Sequence, residues 1–181
     1  MCCVLYSAPL RDLLMRLALT DLYPAKWTKD IHREWMRNLL KNRPDLTEER
    51  LELTRSKMDS HVRNCLVVDY EELIENLKLP DPNDRHILAA AIKANAQTIV
   101  TYNLVDFPSS VIAKYGVDAQ HPDEFLRHLL DLNPARFMRT VQETRLSLKN
   151  PPKNSEEYLT ILEKQSLPQT VAYLKEFEWL I

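Results

Sequence analysis

Two aspartates stand where an α/β fold would bring their carboxylates close together. Asp84 falls in the first turn of a predicted helix over 83–95, and Asp106 follows a short β-branched strand, Thr98–Thr101. Ligands of an open α/β sheet bind beyond the carboxyl ends of its strands, so both side chains could lie at that edge. Two carboxylates in one crevice repel each other unless a cation neutralises them. Mg²⁺ or Mn²⁺ suits a site whose ligands are all oxygens.

Each of these aspartates also has a purely structural explanation. Asp84 near the positive end of the helix dipole stabilises the helix, and Asp106 could simply form a turn, where Asp is common. Asp81 is placed to cap the same helix, and Pro82 fits its first position. Asp81 is therefore interpreted as a cap, with membership of the acidic cluster as the alternative.

A third acidic candidate lies on an earlier helix, predicted from Lys29 to Lys41 with Thr28 as its cap. Glu34 lies about 60° around this helix from Ile31, at the margin of the apolar face. That face comprises Ile31, Trp35, Asn38 and Leu39. Glu34 is either a ligand held at the edge of a core or a boundary residue that pairs with Lys or Arg.

Basic side chains on the same helix recur every four residues. They are Lys29, Arg33, Arg37 and Lys41. This basic ridge is either a solvated helix face or a surface that contacts RNA phosphates. Arg85, next to Asp84, is a further candidate for phosphate contact. His86 is interpreted as structural, because its helix position gives no reason for a catalytic base.

Composition excludes several other classes of protein. The chain has 181 residues, 45% of them hydrophobic, which is enough for one domain with a real core and a small appendage. The net charge of −2 gives no global signal for nucleic acid. A single glycine excludes glycine-rich phosphate loops, and three cysteines make no disulfide framework. These features, with no apolar run of about 18 residues and no signal peptide, predict a reduced, cytoplasmic protein.

The order of elements predicts an α/β fold with a parallel sheet flanked by helices. Strands are predicted at 1–6, 65–68, 98–101 and 117–120, separated by helices. After residue 133 three amphipathic helices follow with no strand between them. The predicted domains are therefore 1–132, an α/β domain, and 133–181, a helical C-terminal extension.

At these residues the chain resembles the PIN-domain ribonucleases, in particular the VapC-type toxins of bacterial toxin–antitoxin pairs. The resemblance covers roughly residues 2 to 132. It rests on Val4–Leu13, Ile31–Trp35, Asp81–Ala90 and Thr101–Phe107. The last segment, Thr-Tyr-Asn-Leu-Val-Asp-Phe, is similar to the family's Thr-x-Asn-x-x-Asp-Phe element and is the most specific match.

The resemblance implies an activity, a cofactor and partners. It implies an endoribonuclease, the toxin of a type II pair, that cleaves single-stranded RNA with Mg²⁺ or Mn²⁺. Glu34, Asp84 and Asp106 would be the catalytic metal ligands, with Thr101, Asn103 and Asp81 around them. Arg33, Arg37 and Arg85 would bind RNA. A small protein antitoxin and a homodimer are the implied partners. Ligands and neighbours together, the residues that the resemblance implies for the metal site are Glu34, Asp81, Asp84, Thr101, Asn103 and Asp106.

One position departs from the family pattern. The family places an Asp in its first strand, and the equivalent position here is Met1. The departure indicates a start assigned too late, a truncated chain or a weakly active copy. The alternative is an inactive PIN-like module that binds an antitoxin or dimerises, for which the apolar face of the last two helices could serve. A phosphohydrolase is disfavoured because no Asp-x-Asp motif ends the first strand.

Overall fold

The structure is a computed structural model, and it describes residues 4–181. The described chain forms two compact units. The first comprises residues 4–6 and 25–121, and the second comprises residues 7–24 and 122–181.

The first unit carries both strands and most of the shorter helices. The first helix of the chain, α1 (Ala8–Leu19), belongs to the second unit. The α-helices of the first unit are α2 (Lys29–Asn42), α3 (Glu48–His61), α4 (Glu71–Ile74), α5 (Arg85–Lys93) and α6 (Ser109–Ile112). Its 3₁₀ turns are Pro82–Asp84, Leu104–Asp106 and Ala113–Tyr115. The predicted caps Thr28, Thr47 and Asp81 are confirmed, because each side chain accepts a backbone N–H of the first turn.

The sheet of the first unit consists of two parallel strands, β1 (Thr98–Val100) and β2 (Asp118–Gln120). Thr98 is paired with Asp118 and Val100 with Gln120. Helix α5 is apolar from Ile87 to Ile92 and packs beside β1. The core around them contains Val67, Tyr70, Leu77, Leu88, Ala89, Ala90, Ala91, Ile99, Phe107, Ile112 and Val117. This packing fixes both the N-terminus of α5 and the end of β1, which carry the acidic residues.

Two of the predicted strands are wrong in part. Residues 4–6 form a turn and a bend, and the start of that predicted strand, Met1 to Cys3, lies outside the described residues. Cys65 and Val67 are buried and alternate with exposed neighbours, as in a strand. However, among residues 4–181 this segment pairs through a single parallel bridge, between Leu66 and Trp27. The segment is therefore extended as predicted, but it does not form a strand of the sheet with β1 and β2.

A buried polar network ties α2 to α3 in the first unit. The Trp35 indole donates to His32 Nδ1 at 3.0 Å, and His32 Nε2 lies 3.0 Å from Asp59 Oδ1. Asp59 also accepts from the Trp27 indole and from Arg55. An indole N–H only donates, so His32 Nδ1 is unprotonated and Nε2 carries the proton. The buried residues of α2 are thus His32, Trp35 and Leu39, whereas predicted Ile31 is only half-buried.

This network predicts an acid-sensitive fold. Burial lowers the pKa of His32 below its usual 6.5, against the opposing effect of Asp59. A lowered histidine pKa gives stability that is present above about pH 6.5 and is lost as pH falls towards the folded pKa. We expect the free energy of unfolding to fall more between neutral pH and about pH 5 in the wild type than in His32→Gln, measured by urea denaturation. An equal fall in both proteins would contradict this assignment.

The second unit is built from helices that are joined by loops, one of which holds an isolated antiparallel bridge between Lys149 and Pro152. Its helices are α1 (Ala8–Leu19), α7 (Pro122–Leu132), α8 (Pro134–Ser147), α9 (Ser155–Glu163) and α10 (Pro168–Glu176), with a final 3₁₀ turn at Glu178–Leu180. Helix α1 packs on α8 and α9, and α7 packs on α8 and α10. By packing, α1 and α7 therefore group with the C-terminal helices. The division at residue 132 stays a prediction about sequence domains.

The suggested interaction face of the last two helices is largely internal to this unit. Leu159, Leu162, Leu167 and Leu174 are buried. Phe177 is half-buried, whereas Trp179 is 79% exposed. The four leucines therefore belong to the core of the second unit.

Asp123 holds the start of α10 from the neighbouring helix α7. Its side chain is buried, and its two carboxylate oxygens accept the backbone N–H groups of Gln169 and Thr170 at 2.8 and 2.9 Å. These are two of the amides that a helix start leaves without an internal partner. We expect Asp123→Ala to destabilise the second unit by about 2 to 4 kcal/mol, because both amides lose a charged acceptor and that of Thr170 is buried.

Hydrogen exchange of the Gln169 and Thr170 amides, together with urea denaturation, measures this effect. Asp131→Ala on the same helix is the control, since Asp131 is exposed and pairs only with Arg127 at the surface. That control should cost less than about 0.5 kcal/mol. Similar losses for the two variants would show that Asp123 is not a buried cap.

None of the described helices is both long enough and apolar enough to cross a membrane.

Candidate metal centre

Three aspartates of the first unit converge on one point. Asp81, Asp84 and Asp106 each offer a carboxylate oxygen, and these atoms all lie within 4.8 Å of one another. Asp81 and Asp84 flank the 3₁₀ turn that leads into α5, and Asp106 ends the 3₁₀ turn that follows β1. Asp84 is fully buried, whereas the other two are half-buried. The predicted meeting of Asp84 and Asp106 at the carboxyl edge of the sheet is thus observed.

Asp84 is the electrostatic centre of this aspartate trio. Neither of its carboxylate oxygens has a hydrogen-bond donor opposite it within the part of the chain that the structure describes. The pKa of Asp84 is raised to about 7, first by burial, then by a proton shared with Asp106 and by the negative charges of Asp106, Asp81 and Glu34. That shared hydrogen bond exists only when one carboxyl is protonated, because two ionised carboxylates offer no donor. At neutral pH the trio therefore needs either a proton or a cation.

Neighbouring polar groups hold the aspartates in place. The Asn103 side-chain amide donates to Asp106, and the Thr101 hydroxyl accepts the Asn103 backbone N–H at 3.1 Å. Thr101 is buried at the end of β1, where its backbone N–H bonds Gln120 of β2. On the other side Asp81 Oδ1 accepts the Asn83 backbone N–H at 2.8 Å. Asp81 is thus both the predicted cap and a member of the trio.

Glu34 lies outside the trio but close to it. Its charge contributes to the raised pKa of Asp84. Its Oε2 atom is buried without a hydrogen-bond partner among residues 4–181, and it lies 4.0 Å from Nε2 of His86. Burial lowers the pKa of His86, and the negative charges of Glu34 and Asp30 oppose that shift. The structure therefore supports the position predicted for Glu34 at the edge of a core.

The predicted RNA-binding arginines differ in their surroundings. Arg33 and Arg37 are exposed on α2, as are Lys29 and Lys41. Arg33 pairs with Asp30 at 2.5 Å. Arg85 is half-buried, and its Nε donates to the carbonyl of Pro82 at 3.0 Å. Part of the positive charge of the ridge is therefore compensated locally.

His86, which was predicted to be structural, lies beside the site. Helix periodicity places it about 200° around from Asp84, so spacing gave no reason to group the two residues. Its contact with Glu34 joins α5 to α2, whose relative placement is a tertiary feature. A histidine two residues after a buried aspartate was the only available signal.

The donor set fits a hard divalent cation. All three members of the trio, and Glu34 beside them, offer carboxylate oxygens, which Mg²⁺ and Mn²⁺ prefer. Both oxygens of Asp84 are buried and have no donor opposite them among the described residues. An ionised carboxylate in that position needs a positive partner, and a divalent cation would provide one. The arrangement is suited to holding an ion at the end of a sheet.

Comparison with known proteins gives the same family as the sequence motifs. The PIN domain family matches residues 3–104, and the VapC50 C-terminal domain matches residues 122–176. A protein of Mycobacterium tuberculosis (strain ATCC 25618 / H37Rv), named "Putative ribonuclease VapC50", is 51% identical over 49 residues, which are 27% of this chain and 29% of that protein. The chain thus matches less than a third of the length of this curated relative. No solved structure matches the chain. Because the PIN domain match spans more than half of the chain, the protein is a VapC-like member of the PIN domain family.

Proposed function

We propose that this protein is a metal-dependent endoribonuclease, the toxin of a type II toxin–antitoxin pair, that cleaves single-stranded RNA. The observation that carries the proposal is the buried Asp84 carboxylate, which has no hydrogen-bond donor opposite it in the described chain and lies within 4.8 Å of Asp81 and Asp106. Membership of the PIN domain family and the name of the mycobacterial relative support RNA as the substrate.

The proposed ion ligands are Asp84, Asp106 and Glu34, with Asp81 at the same site. When bound, Mg²⁺ or Mn²⁺ supplies an activated water and stabilises the leaving oxygen of a phosphodiester. Asp84 supplies a charge whose burial concentrates its field on the ion. Asn103 fixes the Asp106 carboxylate, and Thr101 fixes the turn that presents Asn103. Such outer partners set the orientation of metal ligands.

RNA would be held by the exposed basic ridge of α2. We expect Arg37→Ala to weaken RNA binding and to reduce the slope of log affinity against log salt by about 1, the change for one lost phosphate contact. Arg33→Ala should weaken binding less, because Asp30 already compensates its charge. Binding of a fluorescent RNA in the presence of Ca²⁺ at several salt concentrations measures both. An unchanged salt slope for Arg37→Ala would place the RNA elsewhere, and equal losses for the two variants would show that Asp30 does not compensate the charge of Arg33.

The proposed partners are an antitoxin and a second copy of the chain, as in VapC-type toxins. The inactive-module alternative is less well supported for two reasons. The trio retains three carboxylates at one point, and the apolar tail face that could have served as its interaction surface is mostly buried. We therefore propose that Glu34, Asp81, Asp84 and Asp106 suffice for measurable activity without an acid at position 1.

The test is cleavage of matched RNAs by the purified chain. Unstructured and hairpin RNAs of the same composition, and the DNA equivalent of the first, are incubated with Mn²⁺, with Mg²⁺ or with EDTA. Cleavage of the unstructured RNA alone, abolished by EDTA, is the expected result. A second protein carrying Met1→Asp shows how much a fourth aspartate adds. No cleavage by either protein, or cleavage that survives EDTA, would refute the proposal.

A further inference from the structure

We infer that His86 is a positioning residue for metal binding, and that its Nε2–H orients the carboxylate of Glu34 towards the ion. The inference rests on the proposed function, because it concerns a ligand of the same site. It adds a residue from α5 that does not touch the ion itself.

The side chains of His86 and Glu34 face each other in a part of the first unit that is largely shielded from solvent. His86 Nε2 lies 4.0 Å from Glu34 Oε2, and the side chains are 15% and 19% exposed. Each group also has a buried atom without a hydrogen-bond partner in the described chain, namely Nδ1 of His86 and Oε2 of Glu34. A 4.0 Å separation is too long for a hydrogen bond. Polar contacts at such sites are often long before the ligand binds and tighten afterwards.

The two imidazole nitrogens have different surroundings, and this decides the tautomer. A neutral histidine carries one N–H donor and one acceptor. Nδ1 is buried and faces no hydrogen-bond acceptor within residues 4–181, so a proton there would be buried without a partner. Nε2 faces a carboxylate oxygen. The proton therefore belongs on Nε2, where the N–H group can donate a hydrogen bond to Glu34.

Glu34 has the carboxylate that can accept a hydrogen bond from this N–H group. Asp30, one turn earlier on α2, also acts on His86 through its charge. However, its two oxygens already accept from Arg33 Nη1 and from the Tyr70 hydroxyl, each at 2.5 Å. Glu34 Oε2 has no such partner among the described residues. The same contact would satisfy the Glu34 oxygen and fix the direction of its carboxylate.

An orienting hydrogen bond of this kind has a measurable effect on metal affinity. Partners that hold metal ligands typically contribute about 10- to 100-fold in affinity. Loss of the Nε2–H donor should therefore weaken Mn²⁺ binding by about 10- to 100-fold. A glutamine places its side-chain N–H₂ near the position of Nε2, so it should restore much of the loss, whereas leucine cannot.

The first test is the Mn²⁺ dissociation constant, measured by electron paramagnetic resonance of free Mn²⁺ without RNA. The proteins are wild type, His86→Leu, His86→Gln, Asp84→Asn and, as a control, His61→Leu, which alters an exposed histidine at the end of α3. Weakened binding by His86→Leu, affinity closer to wild type for His86→Gln and unchanged affinity for His61→Leu would support the inference.

The other outcomes separate the two proposals. Binding lost in Asp84→Asn but unchanged in His86→Leu overturns the role of His86 and leaves the metal centre intact. Equal losses in His86→Leu and His86→Gln overturn orientation through an Nε2–H donor. No Mn²⁺ binding by the wild type overturns both the metal centre and this inference.

A second measurement is made on the wild type itself. Long-range ¹H–¹⁵N correlation spectra of the metal-free wild type distinguish the two neutral tautomers of His86, with His86→Gln used only for assignment. The Nε2–H tautomer is expected. The Nδ1–H tautomer would overturn the inference whatever the affinities show.

Discussion

Replacing Asp84 with asparagine should abolish Mn²⁺ binding and RNA cleavage while the protein stays folded. The change keeps the shape of the side chain but removes the charge at the centre of the aspartate trio. Groups that merely orient metal ligands contribute about 10- to 100-fold, so loss of a buried ligand should reduce cleavage by more than about 100-fold. The initial rate of cleavage of an unstructured RNA, at a Mn²⁺ concentration that saturates the wild type, measures the loss.

A matched control separates charge at the trio from charge in general. Asp45→Asn removes the same charge from an exposed aspartate of the first unit that pairs with Arg43. Its cleavage rate should equal that of the wild type. Asp106→Asn should resemble Asp84→Asn, because Asp106 belongs to the same trio and is held by Asn103. Full activity of Asp84→Asn would mean that the reaction takes place elsewhere on the chain.

The elements around the site could be predicted where local chemistry determines them. Thr28 and Thr47 start helices because their hydroxyls satisfy amides of the first turn, a property of the residue type and its position. The strand at Thr98 was predictable from its β-branched residues and the polar turn that follows. The segment 65–68 was predicted as a strand but forms a single bridge, because a strand also needs an extended partner, which composition does not reveal.

The same distinction holds for the site. Asp84 and Asp106 could be grouped because a helix start and a strand end meet at one edge of a sheet. The entry of Asp81 into the trio depends on the 3₁₀ turn before α5, which turns both carboxylates to one side. The contact between His86 and Glu34 depends on how α5 lies against α2. No periodicity within either helix specifies that placement.

The second prediction concerns the stability of the protein without metal. We expect Asp84→Asn to be more stable than the wild type by about 2 to 4 kcal/mol at about pH 8, because a pKa raised from 3.8 to about 7 corresponds to about 4 kcal/mol at most. The folded pKa of Asp84, about 7, lies above the usual 3.8. A raised carboxyl pKa leaves stability intact below about pH 4 and removes it as pH rises to the folded pKa. The two proteins should therefore have similar stabilities near pH 4.

Urea denaturation in EDTA, followed by tryptophan fluorescence, measures this difference. Trp27 and Trp35 lie in the first unit with Asp84, so a Trp179→Phe background removes the exposed tryptophan of the second unit and leaves probes only in the unit that holds the site. Adding Mn²⁺ at about 100 times its dissociation constant should stabilise the wild type by about 2.7 kcal/mol and leave Asp84→Asn unchanged. A wild type that is the more stable protein at pH 8 without metal would show that the Asp84 carboxylate has a cationic partner of its own. A bound cation would thus restore the free energy of unfolding that repulsion among the three carboxylates removes. The same carboxylates would then lower the stability of the metal-free protein and bind the ion that the proposed RNA cleavage requires.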